Sequence, residues 1–129
     1  MKHIEDTHQE MLFTWAKLVR IPNMTGVTAF DLMMHTPNGG KRGVREAARL
    51  KKQGVKAGFP DVGLFYANGV FYGLFIEMKR PIIACKPKPK TTPEQMAWLN
   101  KLNENGYHAV VCYGFEQAKE TIGNYLNGK

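Results

Sequence analysis

The spacing of apolar residues divides the chain into alternating elements. In "EDTHQEMLFTWAKLVR" the residues Met11, Leu12, Trp15, Ala16 and Val19 recur every three or four positions, which predicts a helix, and Pro22 supplies its stop. "VTAFDLMMH" reads as a strand running into the loop "TPNGGKR", and "VREAARLKKQ" reads as a basic amphipathic helix closed by Gly54. Beyond the loop "GVKAGFP", the stretch "DVGLFYANGVFYGLFIEMKR" holds two apolar, aromatic and β-branched runs around Asn68 and Gly69, which predicts a hairpin. The second run is apolar on both faces, so its place is the middle of a covered sheet. "TTPEQMAWLNKLNENG" follows as a helix with Thr92 as N-cap and Pro93 in its first turn. "YHAVVCY" is then a short strand and "FEQAKETIGNYL" a last helix. The order is α-β-α-β-β-α-β-α, an α/β chain.

Length and composition narrow the class. The 129 residues leave room for one core, so a single domain over 1–129 is expected. No repeat is present, and the only biased stretch is "CKPKPKTTP", an exposed basic loop. No apolar run approaches the ~20 residues of a membrane-spanning helix. The start, "MKHIEDTHQE", has two acids after its first lysine and lacks an apolar core, so a cytoplasmic protein is expected. Cys85 and Cys112 are too few for a disulfide scaffold and do not form a zinc motif. The net charge of +7 is unevenly placed: residues 37–90 hold twelve Lys or Arg against Glu46, Asp61 and Glu77. That concentration favours a polyanionic partner, most simply nucleic acid, over a merely solvated face.

Candidate chemistry lies where charges interrupt the apolar runs. In "FIEMKRP", Glu77 and Lys79 stand two apart at the end of the predicted central strand, so they share a face. A fraying strand end would explain such a pair by itself. In "GFPDVGLF", however, Asp61 opens the neighbouring strand, close enough for its carboxylate to meet that of Glu77. Converging carboxylates repel unless a cation lies between them, and oxygen donors suit Mg²⁺ or Mn²⁺. Lys79 could then orient an attacking water or stabilise charge on a scissile phosphate. Register tests this idea. A two-residue loop at Asn68 and Gly69 would set Asp61 opposite Ile76 and place the two acids on opposite faces. A three-residue loop, or a bulge at Gly63 or Gly73, restores a shared face, and one of these is expected.

"GFPD", "IEMK" sixteen residues after Asp61, and then Gln95 on the next helix resemble the PD-(D/E)xK nuclease signature, and more narrowly the virus-type replication-repair nuclease (VRR-NUC) family. The loop "PNGGKRGVREAARLKKQGVKAGFPD" is similar to the stretch before the signature in small phage members. The resemblance covers nearly the whole chain. It implies a restriction-endonuclease-like core, a central mixed sheet flanked by helices, with Asp61 and Glu77 as metal ligands, Lys79 as catalytic lysine and Gln95 as a further active-site residue. It also implies an acid from the first helix; Glu5 is preferred and Glu10 is second, and plain surface charge that favours the helix dipole is an equal rival for either. Gln95 has a rival role, because Thr92-Pro93-Glu94-Gln95 reads as a capping box, and one conformer is not expected to fill both. His8 could support Glu5 from one turn away. His35 lacks paired ligands nearby, His3 and His108 are incidental, and Trp15, Trp98 and the hairpin Phe residues read as core.

The resulting expectation is a nuclease that hydrolyses DNA with Mg²⁺ or Mn²⁺. Lys41, Arg42, Arg45, Arg49, Lys52 and Lys56 would hold backbone phosphates, which carry no base information. The resemblance further implies a homodimer acting on branched DNA such as four-way (Holliday) junctions, in a bacterial host cell for a phage or prophage protein. Two alternatives stay open: a non-catalytic nucleic-acid-binding module, and a nuclease of the same chemistry acting on RNA, flaps or free ends.

Overall fold

A computed structural model describes residues 4–37 and 43–128. Its elements are α1 (Ile4–Ala16), a 3₁₀ turn (Phe30–Leu32), β1 (Met33–His35), α2 (Val44–Lys52), β2 (Val62–Leu64), β3 (Leu74–Lys79), α3 (Pro93–Glu104), β4 (His108–Tyr113) and α4 (Phe115–Leu126). The strands form one mixed sheet in the order β1-β2-β3-β4. β1, β2 and β3 are antiparallel, while β4 joins β3 in parallel through α3, as a β-α-β crossover requires. The doubly apolar β3 is an inner strand, in agreement with its pattern.

Alternation along β3 sorts the molecule into layers. Leu74, Ile76 and Met78 point into the larger core with Leu12 and Ala16 of α1 and Ile122 and Tyr125 of α4. Phe75 points to the other face, where it packs with Leu99 and Leu102 of α3 and Ala109 of β4. Glu77 and Lys79 follow the parity of Phe75, so both emerge on the α3 side.

Two elements are shorter than their patterns suggest. The first helix stops at Ala16 rather than running to Arg20, and the strand expected over 27–35 is confined to Met33–His35. The cause is a local pairing of the intervening segment with itself. Arg20 bridges Thr28, Ile21 N–H donates to Val27 O at 2.9 Å, and Ala29 N–H donates to Val19 O at 2.7 Å. The Asp31 carboxylate then accepts from Thr28 N at 2.8 Å and holds the chain in a turn before β1.

The hairpin register decides whether a site exists. Val62 pairs with Ile76, Gly63 with Phe75 and Leu64 with Leu74. Continued by one residue, that register sets Asp61 opposite Glu77, the parity that a three-residue loop gives. The expected three-residue loop and glycine bulge are both corrected: Gly63 pairs regularly with Phe75, and the ladder stops at Leu64 and Leu74, so residues 65–73 form a longer connection. The connection between them is pinned by side chains. Asn68 Oδ1 accepts from Val70 N (2.9 Å) and Phe71 N (2.8 Å), while Asn68 Nδ2 donates to Tyr125 O at 2.9 Å. The fully buried Tyr125 hydroxyl donates in turn to Tyr66 O at 2.7 Å.

Candidate active site

The ladder between β2 and β3 ends where Pro60 enters, and Asp61 takes over there with its side chain. Asp61 Oδ2 accepts from Met78 N at 2.8 Å, while Asp61 O accepts from Thr36 N, also at 2.8 Å. The carboxylate is thereby held at the end of the sheet beside Glu77. Glu77 is 3% exposed, the sole charged residue among the buried ones described. Burial, then the charge of Asp61 and a hydrogen bond with it, push the Glu77 carboxyl up to about 8 against the opposing pull of Lys79.

Lys79 and Gln95 complete the contacts. Lys79 Nζ donates to Gln95 Oε1 at 2.9 Å and lies 3.6 Å from Glu77 Oε2. Gln95 Nε2 donates to Glu77 Oε2 at 3.2 Å. The same Gln95 makes the capping box: its Oε1 accepts from Thr92 N at 2.9 Å and its backbone N–H donates to Thr92 Oγ1 at 3.1 Å. The expectation that one conformer could not do both is therefore corrected. An amide oxygen has two lone pairs, so Oε1 serves the cap and Lys79 while Nε2 remains for Glu77.

These four residues line a cleft of about 390 Å³. Glu5 and Asp6 in the first turn of α1 line it too, with Gln9 one turn on. Glu10 lines a different groove with Met11 and Trp15. His8 does not join the cleft, because its Nδ1 accepts from Phe115 N at 2.8 Å and so caps α4. Asp6, Gln9 and His35 are the cleft residues that the sequence reading passed over. Gln9 was legible from its spacing to Glu5. His35 was not, because the group it meets is distant in sequence: its Nδ1 lies 3.0 Å from Asp61 O. A carbonyl only accepts, so Nδ1 carries the proton.

The basic residues stand apart from the cleft. Arg45, Arg49 and Lys52 line a separate surface of α2, a helix that buries none of its residues, and Lys56 lies on the rim of an apolar groove. Lys41 and Arg42 lie outside the described residues.

A buried acid beside a second acid, a lysine two residues on and a glutamine from the next helix form the PD-(D/E)xK constellation in space. The family model for the VRR-NUC domain matches residues 7–116. The chain belongs to the VRR-NUC family. A solved structure described as a VRR_NUC domain protein is 31% identical to it, covers 98% of this chain and 91% of that chain, and superposes with a TM-score of 0.80. Among curated proteins none matches. The VRR-NUC domain is a nuclease of the PD-(D/E)xK type, a hydrolase that acts on DNA, in a family that is typically dependent on divalent metal. Among the described residues of this VRR-NUC chain no helix is long and apolar enough to cross a membrane.

Proposed function

We propose that this single-domain protein is an Mg²⁺- or Mn²⁺-dependent DNA endonuclease that acts on branched DNA such as four-way junctions, as a homodimer. The observation that carries the chemistry is the meeting of Asp61, Glu77, Lys79 and Gln95 at the end of the β2–β3 ladder. The donor set fits a hard cation. Two carboxylates converge, and burial together with the charge of Asp61 pushes the Glu77 carboxyl up to about 8 despite Lys79, a cost that a cation between the acids would offset. Among the described residues no three His, Cys, Asp or Glu side chains gather as a closed cage, and Mg²⁺ is commonly held by one or two carboxylates with waters and substrate phosphate. Asp61 and Glu77 would hold the ion, with Glu5 lining the same cleft. A bound ion would supply Lewis acidity toward water and phosphate oxygens.

The chain's own groups do the rest. The Lys79 ammonium, held by Gln95 Oε1, offers its remaining protons to a water or to a phosphate oxygen gaining charge. Gln95 keeps Glu77 and Lys79 in register through one amide. The basic face of α2 supplies phosphate contacts without base information, which suits recognition of DNA shape rather than base order. A two-fold dimer would present two such sites to two strands of a junction.

The test is incubation of the protein with a labelled four-way junction, a flap, linear duplex and RNA, in Mg²⁺, Mn²⁺ or chelator, beside Glu77→Ala. Metal-dependent cleavage, strongest on the junction and lost in the variant, is expected. Binding without cleavage in either metal would replace this reading with a non-catalytic DNA-binding module.

A further inference from the structure

An apolar groove of about 520 Å³ opens next to the cleft, lined by Phe59, Trp98, Leu50, Val55, Thr36 and Lys56 among others. Phe59 and Trp98 meet edge to face with ring centroids 4.9 Å apart, and Phe59 rests against the buried Phe75 at 5.5 Å. Both rings are only half-buried, so the aromatic pair is anchored in the core yet open to the groove.

The groove and the cleft have no lining residue in common, but neighbouring residues of the same segments line each. Phe59 precedes Asp61 by two residues, with the buried Pro60 between them. Trp98 follows Gln95 by three, which places it on the same side of α3, roughly 4.5 Å further along the axis. Thr36, which also lines the groove and follows His35 of the cleft, donates its N–H to Asp61 O. Gly58 fixes this contact. It has φ +86, and a Cβ there would lie 2.6 Å from the Glu94 carbonyl carbon and 2.8 Å from Gln95 N. The loop carrying Phe59 is thus pressed onto the first turn of α3.

The surroundings are cationic. Lys56 lies at the rim, and Lys101 Nζ stands 5.3 Å from the Trp98 ring centroid. Of α2, Leu50 lines the groove, while Arg49 and Lys52 line a separate surface of the same helix. An apolar groove with two aromatic rings at 77° to one another, Lys56 in its lining and Lys101 beside Trp98, suits an aromatic group carried on a polyanion.

We propose that this groove takes one unstacked base of the DNA strand being cut, from a nucleotide beside the scissile phosphate, against Trp98 and Phe59. The proposal rests on the nuclease reading and deepens it. Bases inside a duplex are already stacked on each other, so the groove favours DNA whose bases are free at a branch. Stacking on aromatic rings tolerates any base, so no sequence preference follows.

The test uses the full chain carrying Trp15→Phe, which leaves Trp98 as the sole remaining one of the two tryptophans. In chelator it is titrated with a four-way junction and with the same junction lacking the bases of its branch nucleotides. The expected result is quenching of Trp98 emission by the intact junction, and binding about 5- to 100-fold weaker, without quenching, for the abasic one. Phe59→Leu should weaken binding of the intact junction and leave the abasic one unchanged. Where that variant does not fold, the comparison of the two junctions on the unaltered chain decides. Equal affinity for both junctions with unmoved emission overturns the base groove, and metal-dependent cleavage persisting in the same preparation leaves the nuclease reading intact. Emission that changes with protein concentration alone assigns the groove to a second copy and likewise overturns it. Neither binding nor cleavage of any DNA overturns the nuclease reading, and the base groove with it.

Discussion

The Gln95 amide bonds Thr92, Lys79 and Glu77 at once, so its loss and the loss of its cap partner have separable effects. Thr92→Ala removes the hydroxyl that accepts from Gln95 N and should cost about 1 kcal/mol in denaturant unfolding, with cleavage largely kept. Gln95→Ala should lower stability similarly but also reduce cleavage by roughly tenfold or more, since Lys79 loses its orienting acceptor. Equal activity in the two variants would confine Gln95 to capping. Glu77 makes a second prediction at this scale. Its folded carboxyl sits at about 8, above the ordinary 4.5, so between those values the folded state holds a proton that the unfolded state has released. The metal-free protein is therefore stabilised by this group at low pH and loses that contribution as pH rises through about 8. In chelator, Glu77→Gln should be more stable than the parent above pH 8, by on the order of a few kcal/mol, and the gap should vanish below pH 4.5. A pH-independent gap would contradict the buried-carboxyl account. At this scale the acids, the lysine and the glutamine were legible from residue type and spacing. His35 was not, because it meets a backbone carbonyl 26 residues away.

Among the elements, α2 is unusual in burying none of its residues while presenting Arg45, Arg49 and Lys52 at helical spacing. Neutralising all three to Gln should leave thermal stability nearly unchanged. It should lower the slope of log affinity against log salt for DNA by up to about 2.7, from 0.9 per phosphate contact. An unchanged slope would remove α2 from the DNA interface. The β2–β3 connection bears on the site differently. Tyr125 on α4 ties it down through Tyr66 O, with Phe71 O a second acceptor at 3.3 Å. Tyr125→Phe should cost about 1 kcal/mol in unfolding experiments, because Tyr66 O loses this donor while Phe71 O keeps Asn68 N–H. The strand and helix order was readable from periodicity, and α4 matches its predicted span. The end of α1 was not, because residues 19–29 pair with each other rather than extend the helix, and local helical spacing cannot register such competition.

For the whole molecule, charge and topology act together. The excess of positive charge in residues 37–90 falls on α2 and on the segments leading to Asp61 and following Lys79, whereas the lining of the cleft is largely acidic and amide. Added salt should therefore weaken DNA binding steeply, and sedimentation equilibrium should report a dimer if two sites act on two strands; a monomer at micromolar concentration would remove the dimer from the proposal. From the sequence alone came the α-β-α-β-β-α-β-α order, the inner position of β3 and the residue types of the site, because these follow from local periodicity and short-range spacing. Tertiary structure alone decided three things. The loop pinned by Asn68 and Tyr125 chose the register that faces Asp61 toward Glu77, although Asn-Gly by itself suits a two-residue turn that would have parted them. The packing of α1 brought Glu5 and Asp6 to the cleft and turned Glu10 away. The close approach of Gly58 to α3 set Phe59 beside Trp98. Each is a contact between segments far apart in the chain, and neither composition nor periodicity carries information about which distant surfaces will meet.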